Sequence, residues 1–177
     1  PITVNSLADP SETGKTTLRG ALNSANDGDV IRFDPSIIGG TINLKSQLEI
    51  RDSVTIDAWN LHLAQQDMPH SAFKGITLDG KLITYGSNTA IIKVFSCGEV
   101  TLRGLTVKNT HPSPNIKNTY DGVGVYADND ALNIENCAFI GLKYGSAGAV
   151  EVKSETLRIT NTLIANNTAV YKAPASG

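Results

Sequence analysis

Gly14-Lys15-Thr16-Thr17 follows the apolar stretch Ile2-Thr3-Val4 and heads an amphipathic segment, the setting of a phosphate-binding loop. That chemistry needs G-x-x-x-x-G-K-[ST], in which consecutive backbone N–H groups close on the phosphates while lysine and hydroxyl serve phosphate and metal. Here Asp9 stands at the first glycine position, Pro10 has no N–H to give, and Asp9 and Glu12 set negative charge against an anion. The residues describe a polar loop and a short helix, not a nucleotide site.

Other candidate groups are scattered. Asp57, Arg103 and Glu135 fall in one column of the repeat described below. Paired carboxylates, or calcium-binding carboxylates beside a basic residue, on one lateral face would suit a polysaccharide lyase or hydrolase. That column continues to Thr160, however, and an Asp-Arg-Glu row is equally a surface ion-pair row. The "NTD", "DD" and "GHG" set of polygalacturonases is missing, so no catalytic, cofactor-binding or metal-binding residue is assigned. His111 and Tyr120, in the proline-rich stretch 109–122, are candidates for a partner-binding loop, or else pack that loop onto the scaffold. Trp59 falls in a column expected to face inward, as core rather than as a sugar platform. Cys97 and Cys137 lack C-x-x-C spacing and indicate neither a zinc site nor a disulfide framework. Asn166-Asn167-Thr168 is a glycosylation triplet.

With 15 basic and 17 acidic residues and no long run of either sign, the chain has no strong electrostatic draw to nucleic acid or anionic membrane. No apolar run approaches the roughly 18 residues of a membrane span, and no basic-then-apolar leader is seen. A start at Pro1 fits a mature or trimmed product.

The elements that must position these residues come from a repeat. Residues 122–141 align without gaps on 147–166 at an offset of 25, matching Val125 to Val150, Ala127 to Val152, Leu132 to Leu157, Ile134 to Ile159, Cys137 to Thr162 and Phe139 to Ile164. An earlier copy at 100–109 places Val100, Leu102, Leu105 and Val107 in the same columns, and 54–59 adds Val54 and Ile56. Each copy alternates apolar and polar residues along two short strands, broken at Arg103-Gly104 or Glu135-Asn136. One unit cannot bury its apolar side, so repeated units of this length read as stacked coils of a parallel β-solenoid. The column of Asn136 and Asn161 suits a sharp turn whose amides bond to the coils above and below. Cys137, between Leu105 and Thr162, is expected to be a buried small apolar residue. Insertions at 60–75, 83–90 and 109–122 are expected to bulge from the coils.

Leu18, Ala21, Leu22 and Ala25 lie at helical spacing, predicting a helix of about three turns over 17–26 that covers the raw first coil. After residue 168 there is neither another coil nor an amphipathic segment. That leaves an end to be continued by missing sequence or covered by another chain.

"TLRGALNSANDGDVIRFDPSIIGGTINL", "VTLRGLTVKNT", "GVGVYA…LNIENCAFIG" and "AGAVEV…LRITNTLIANN" resemble secreted right-handed parallel β-helix proteins of the pectate-lyase-like superfamily, in particular bacterial surface proteins of the polymorphic outer-membrane and autotransporter-passenger type. The likeness spans residues 1–168. It implies that the early helix caps the β-helix, and that the chain is extracellular or on the cell surface. The leader cysteines of many such proteins, their "GGGIY"-like turn and a C-terminal membrane barrel are missing, so a passenger of this kind would be a fragment or use another attachment.

The expectation is an all-β, right-handed parallel β-helix of about seven coils with a short N-terminal capping helix. It forms a single domain over 1–177: cap and first coil at 1–46, stacked coils at 47–168, and a tail at 169–177. The expected function is a noncatalytic structural or adhesive surface protein, its open end self-associating head to tail or meeting a neighbouring surface protein. A carbohydrate-active β-helix enzyme and a glycan-binding module are the alternatives. No cofactor, nucleic acid or membrane span is expected.

Overall fold

The computed structural model describes residues 1–59, 75–86, 88–95, 97–111, 123–145 and 148–169. Tyr120, most of the insertions at 60–75 and 109–122, and the tail beyond 169 lie outside them. The described chain is a parallel β-solenoid with three large stacked sheets and a two-stranded one that pairs Lys143–Tyr144 with Thr168–Ala169. Sheet A stacks Ile2–Val4, Val30–Phe33, Thr55–Asp57, Glu99–Arg103, Ala131–Glu135 and Thr156–Thr160. Sheet B stacks Thr41–Asn43, Ile76–Asp79, Leu105–Lys108, Ala138–Ile140 and Leu163–Ala165, and sheet C stacks Leu48–Ile50, Ala90–Val94, Val123–Ala127 and Val150–Val152. Every pairing between them is parallel.

The register reproduces the repeat. Ile2, Ile31, Ile56, Leu102, Ile134 and Ile159 form one continuous column, and Leu78, Val107, Phe139 and Ile164 another. Alternation turns these side chains inward. Ile31, Ile56, Leu102, Ile134, Val107 and Phe139 are fully buried, each such burial contributing about 1.5–3 kcal/mol before conformational entropy is counted.

About five turns result, not seven. Successive members of the first column are separated by 29, 25, 46, 32 and 25 residues. The 25-residue coil is thus the shortest, and insertions lengthen others without adding a rung.

The capping helix, α1, spans Leu18–Ser24, two turns rather than three. Thr17 caps it, its Oγ1 accepting from the Gly20 N–H at 3.1 Å and donating to the Pro10 carbonyl at 2.8 Å. Leu18, Ala21 and Leu22 are buried against the first coil. Ala25 is already extended, and Asp29 Oδ2 accepts from the Asn26 N–H at 3.0 Å, turning the chain into the next strand.

Two corners use left-handed backbone. Gly104, Asn136 and Asn161, between sheets A and B, have φ of 70°, 52° and 45°. Asn109, Gly141 and Asn166, after sheet B, have 61°, 65° and 56°. Only glycine and asparagine accept this conformation readily. Asn161 Nδ2 donates to Asn136 Oδ1 at 2.6 Å, so the predicted asparagine column is a hydrogen-bonded turn ladder. Asn136→Ala is expected to lower stability by about 1–2 kcal/mol and Asn136→Gly by less, measured by denaturant unfolding; equal losses would contradict the left-handed requirement.

Candidate functional site

The Asp57, Arg103 and Glu135 column exists as aligned. Arg103 Nε donates to Glu135 Oε2 at 2.8 Å with Nη2 in ion-pair contact 2.8 Å from the same oxygen, and Arg103 Nη1 stands 3.7 Å from Asp57 Oδ2. Stacking alone brings them together: the in-register pairs are Asp57 with Arg103 and Arg103 with Glu135, with Thr160 beyond. A sugar-cleaving pair requires two carboxylates facing one bond, with room between them for the glycosidic oxygen. Here a guanidinium occupies the space between.

Beside this row, Trp59, Arg103, Glu135 and Asn136 line a cleft of about 340 Å³. Trp59 is not in the core. Its column is filled by Ile76, which pairs with Leu105 and is fully buried. Trp59 stays half-buried at the corner, its N–H donating to Asp57 Oδ1 at 3.1 Å.

His111 is exposed, and its ring meets that of buried Tyr85 edge-on, 5.3 Å between centroids at 74°. The Tyr85 hydroxyl donates to the Gly80 carbonyl at 3.1 Å, so His111 lies on a fixed ring of the scaffold. Its proposed companion, Tyr120, is outside the described residues.

Asp9 of the phosphate-loop-like stretch is buried. Arg19 Nε donates to its Oδ1 at 2.7 Å and Nη2 to its Oδ2 at 3.0 Å, while the Lys45 N–H donates to Oδ2 at 2.8 Å. Arg19 also donates to the carbonyls of Gln47 and Ser46. This is a staple between cap loop, helix and first coil, and a buried carboxylate there is the opposite of a phosphate cradle. Sequence reasoning excluded the nucleotide site but did not see the staple.

A cation and aromatic row on sheet C was also missed. Arg51 sits 4.3 Å from the Phe95 ring centroid, Lys93 lies 5.1 Å from Phe95 and 5.7 Å from Tyr126, and Lys153 lies 5.6 Å from Tyr126. The cations cover the rings, an interaction of about 0.5–1 kcal/mol each at exposed sites.

Both cysteines are free. Cys97 is half-buried, and its thiol is raised first by burial and then by Asp27, Asp52 and Asp130. Cys137 is the buried core residue expected, its Sγ donating to the Leu102 and Glu135 carbonyls, and burial pushes its thiol up to about 12. Among the described residues no group of three or more His, Cys, Asp or Glu could hold a metal ion, and no helix is long and apolar enough to cross a membrane. Neither a protein-family model, nor a curated protein, nor a solved structure matches the chain.

The Cys137 shift has a signed consequence. Below the ordinary thiol value of 9.0 the thiol is protonated in both states, and its contribution is fully present. As pH rises from there towards about 12, the unfolded chain ionises while the folded one does not, and stability falls. The loss is at most about 1.4 kcal/mol per pH unit. Unfolding midpoints at pH 8 and 10.5 should fall less in Cys137→Ala than in the parent; equal falls would contradict the buried thiol.

Proposed function

We propose that this chain is a noncatalytic structural or adhesive module of the cell exterior, and that the apolar face of the last described coil of its solenoid is an assembly surface. One observation carries the reading. Leu132, Ile134 and Phe139 are fully buried, whereas one coil later their column partners Leu157, Ile159 and Ile164 are 44%, 41% and 50% exposed, beside Leu163 at 42%. Among the described residues, Thr156–Thr160 and Leu163–Ala165 each pair with one strand only, leaving one row of backbone groups for another strand. Such an edge invites strand addition.

The covering strand needs two inward apolar residues around an outward polar one. Ile2–Val4 has that pattern, with Ile2 already in the column that ends at Ile159. We take its donor to be a second copy, joined head to tail. Identical contacts repeated in one direction do not close and so build a filament. The guanidinium between Asp57 and Glu135 supports a noncatalytic scaffold. Placement outside the cell, and membership among pectate-lyase-like or autotransporter-passenger proteins, rest on the sequence resemblance.

Light scattering over a concentration series, with negative-stain electron microscopy of the same samples, should show mass growing with concentration and ordered linear particles. Ile159→Lys should hold the protein at its lowest mass. A parent protein of constant mass at every concentration would overturn the assembly reading.

A further inference from the structure

Each of the three large sheets has two edge strands. At the first coil these are Ile2–Val4, Thr41–Asn43 and Leu48–Ile50, and at the far end Thr156–Thr160, Leu163–Ala165 and Val150–Val152. The first of these two ends is closed by the cap. α1 packs on Ile2–Val4 and Leu48–Ile50 and turns Leu18, Ala21 and Leu22 onto the first coil, with Gly20, Asn23 and Ser24 exposed on its outer side. A second copy arriving with exposed Leu157, Ile159 and Ile164 meets this polar surface, where apolar side chains gain little burial.

The backbone of the first coil is closed as well. The Leu44 N–H donates to the Asp79 carbonyl of the following coil at 3.0 Å, whereas the next N–H, of Lys45, turns to the cap and donates to Asp9 Oδ2 at 2.8 Å. The Gln47 and Ser46 carbonyls accept from Arg19 Nη1 and Nη2 at 2.8 and 2.9 Å. Just after Ile2–Val4, the Asn5 N–H donates to the Thr16 carbonyl at 3.0 Å. Backbone groups that a further coil would bond are thus already held by the cap segment.

One ion pair ties these contacts together. Arg19 grips both oxygens of Asp9, at 2.7 and 3.0 Å, with side chains 17% and 2% exposed. Asp9 in turn holds Lys45, and Arg19 holds Ser46 and Gln47, so breaking the pair loosens the bonds on both sides of it. A helix of seven residues has no stability of its own, so α1 keeps its seat only through this latch and its apolar face.

We propose that the cap is a releasable gate on head-to-tail assembly: the latch of Asp9 and Arg19 holds α1 over the first coil, and a second copy stacks on all three sheets only once the latch has opened. The inference rests on the assembly reading above and adds the element that regulates it. Opening exposes Leu18, Ala21 and Leu22, which opposes the step, while burying Leu157, Ile159 and Ile164 and pairing three sheet edges offsets it. Assembly is therefore slow to start rather than absent.

Arg19→Ala and Asp9→Asn break the latch, and Arg19→Lys keeps the charge but loses the fork. With Ile159→Lys added to stop assembly, amide exchange in the latch variants should rise about tenfold at Gly20, Ala21 and Lys45, one decade for each ~1.4 kcal/mol taken from the closed state, and stay unchanged at Leu102 and Ile134. With Ile159 restored, light scattering should show growth starting about tenfold sooner in Arg19→Ala and Asp9→Asn by the same arithmetic, less in Arg19→Lys, and no sooner in the double variant than in Arg19→Ala. Where Arg19→Ala also loosens Leu102, Arg19→Lys carries the comparison. Growth at the parent's pace in variants whose exchange shows a released cap would overturn the gate and leave the assembly reading standing. Unchanged exchange at Lys45, or growth that persists with Ile159→Lys, would overturn the gate too. If no form gains mass, both ideas fall.

Discussion

Parallel hydrogen bonding between successive coils sets each residue directly over its counterpart one turn earlier, and the remaining features follow from that registration. Side chains alternate along a strand, so one apolar column commits every coil to the same face inward. The column from Ile2 to Ile159 is kept through spacings that range from 25 to 46 residues. Rungs are fixed and connections are free. Ile76, seventeen residues beyond Trp59, therefore occupies the inward position beside Leu105 without disturbing the stack.

The same registration governs corners and polar rows. A turn between two sheets recurs in each coil at one place, and the left-handed backbone it needs selects glycine or asparagine there. Stacked asparagines can then bond to one another, as Asn136 and Asn161 do. Just before this corner, stacking sets Arg103 between Asp57 and Glu135. The geometry that satisfies the guanidinium also keeps the two carboxylates apart. Scaffold and candidate site thus share one cause.

Much of this was legible because the repeat is directly visible at offsets of 25 and 32 residues. The inward columns, the Asp57, Arg103 and Glu135 row, the buried Cys137 and the asparagine turn all follow from it. What was missed lies where the pattern is locally broken. Trp59 fits the column by counting, but Ile76 holds that place beside Leu105. The coil number was overestimated by applying the shortest spacing throughout. The helix was drawn to Ala25 and beyond by its apolar spacing, whereas Asp29 takes the Asn26 N–H and ends it early. The Asp9 and Arg19 staple joins residues ten apart in no periodic relation, so composition gives no sign of it. The second left-handed corner was present in the aligned residues as Asn109, Gly141 and Asn166, and was readable had the Asn and Gly exchange been taken as one requirement.

The central claim is the register, and it is tested most directly by pulsed electron spin resonance between labels at Thr3 and Thr160. These exposed positions lie in one outward column of sheet A, running through Arg32, Asp57, Arg103 and Glu135. Five rungs separate them, so in doubly labelled chain diluted into an excess of unlabelled chain the account predicts a single narrow distribution centred at about 24 Å, five steps of roughly 4.8 Å. A broad distribution, or a centre beyond about 35 Å where five such steps cannot reach, would contradict the continuous parallel stack.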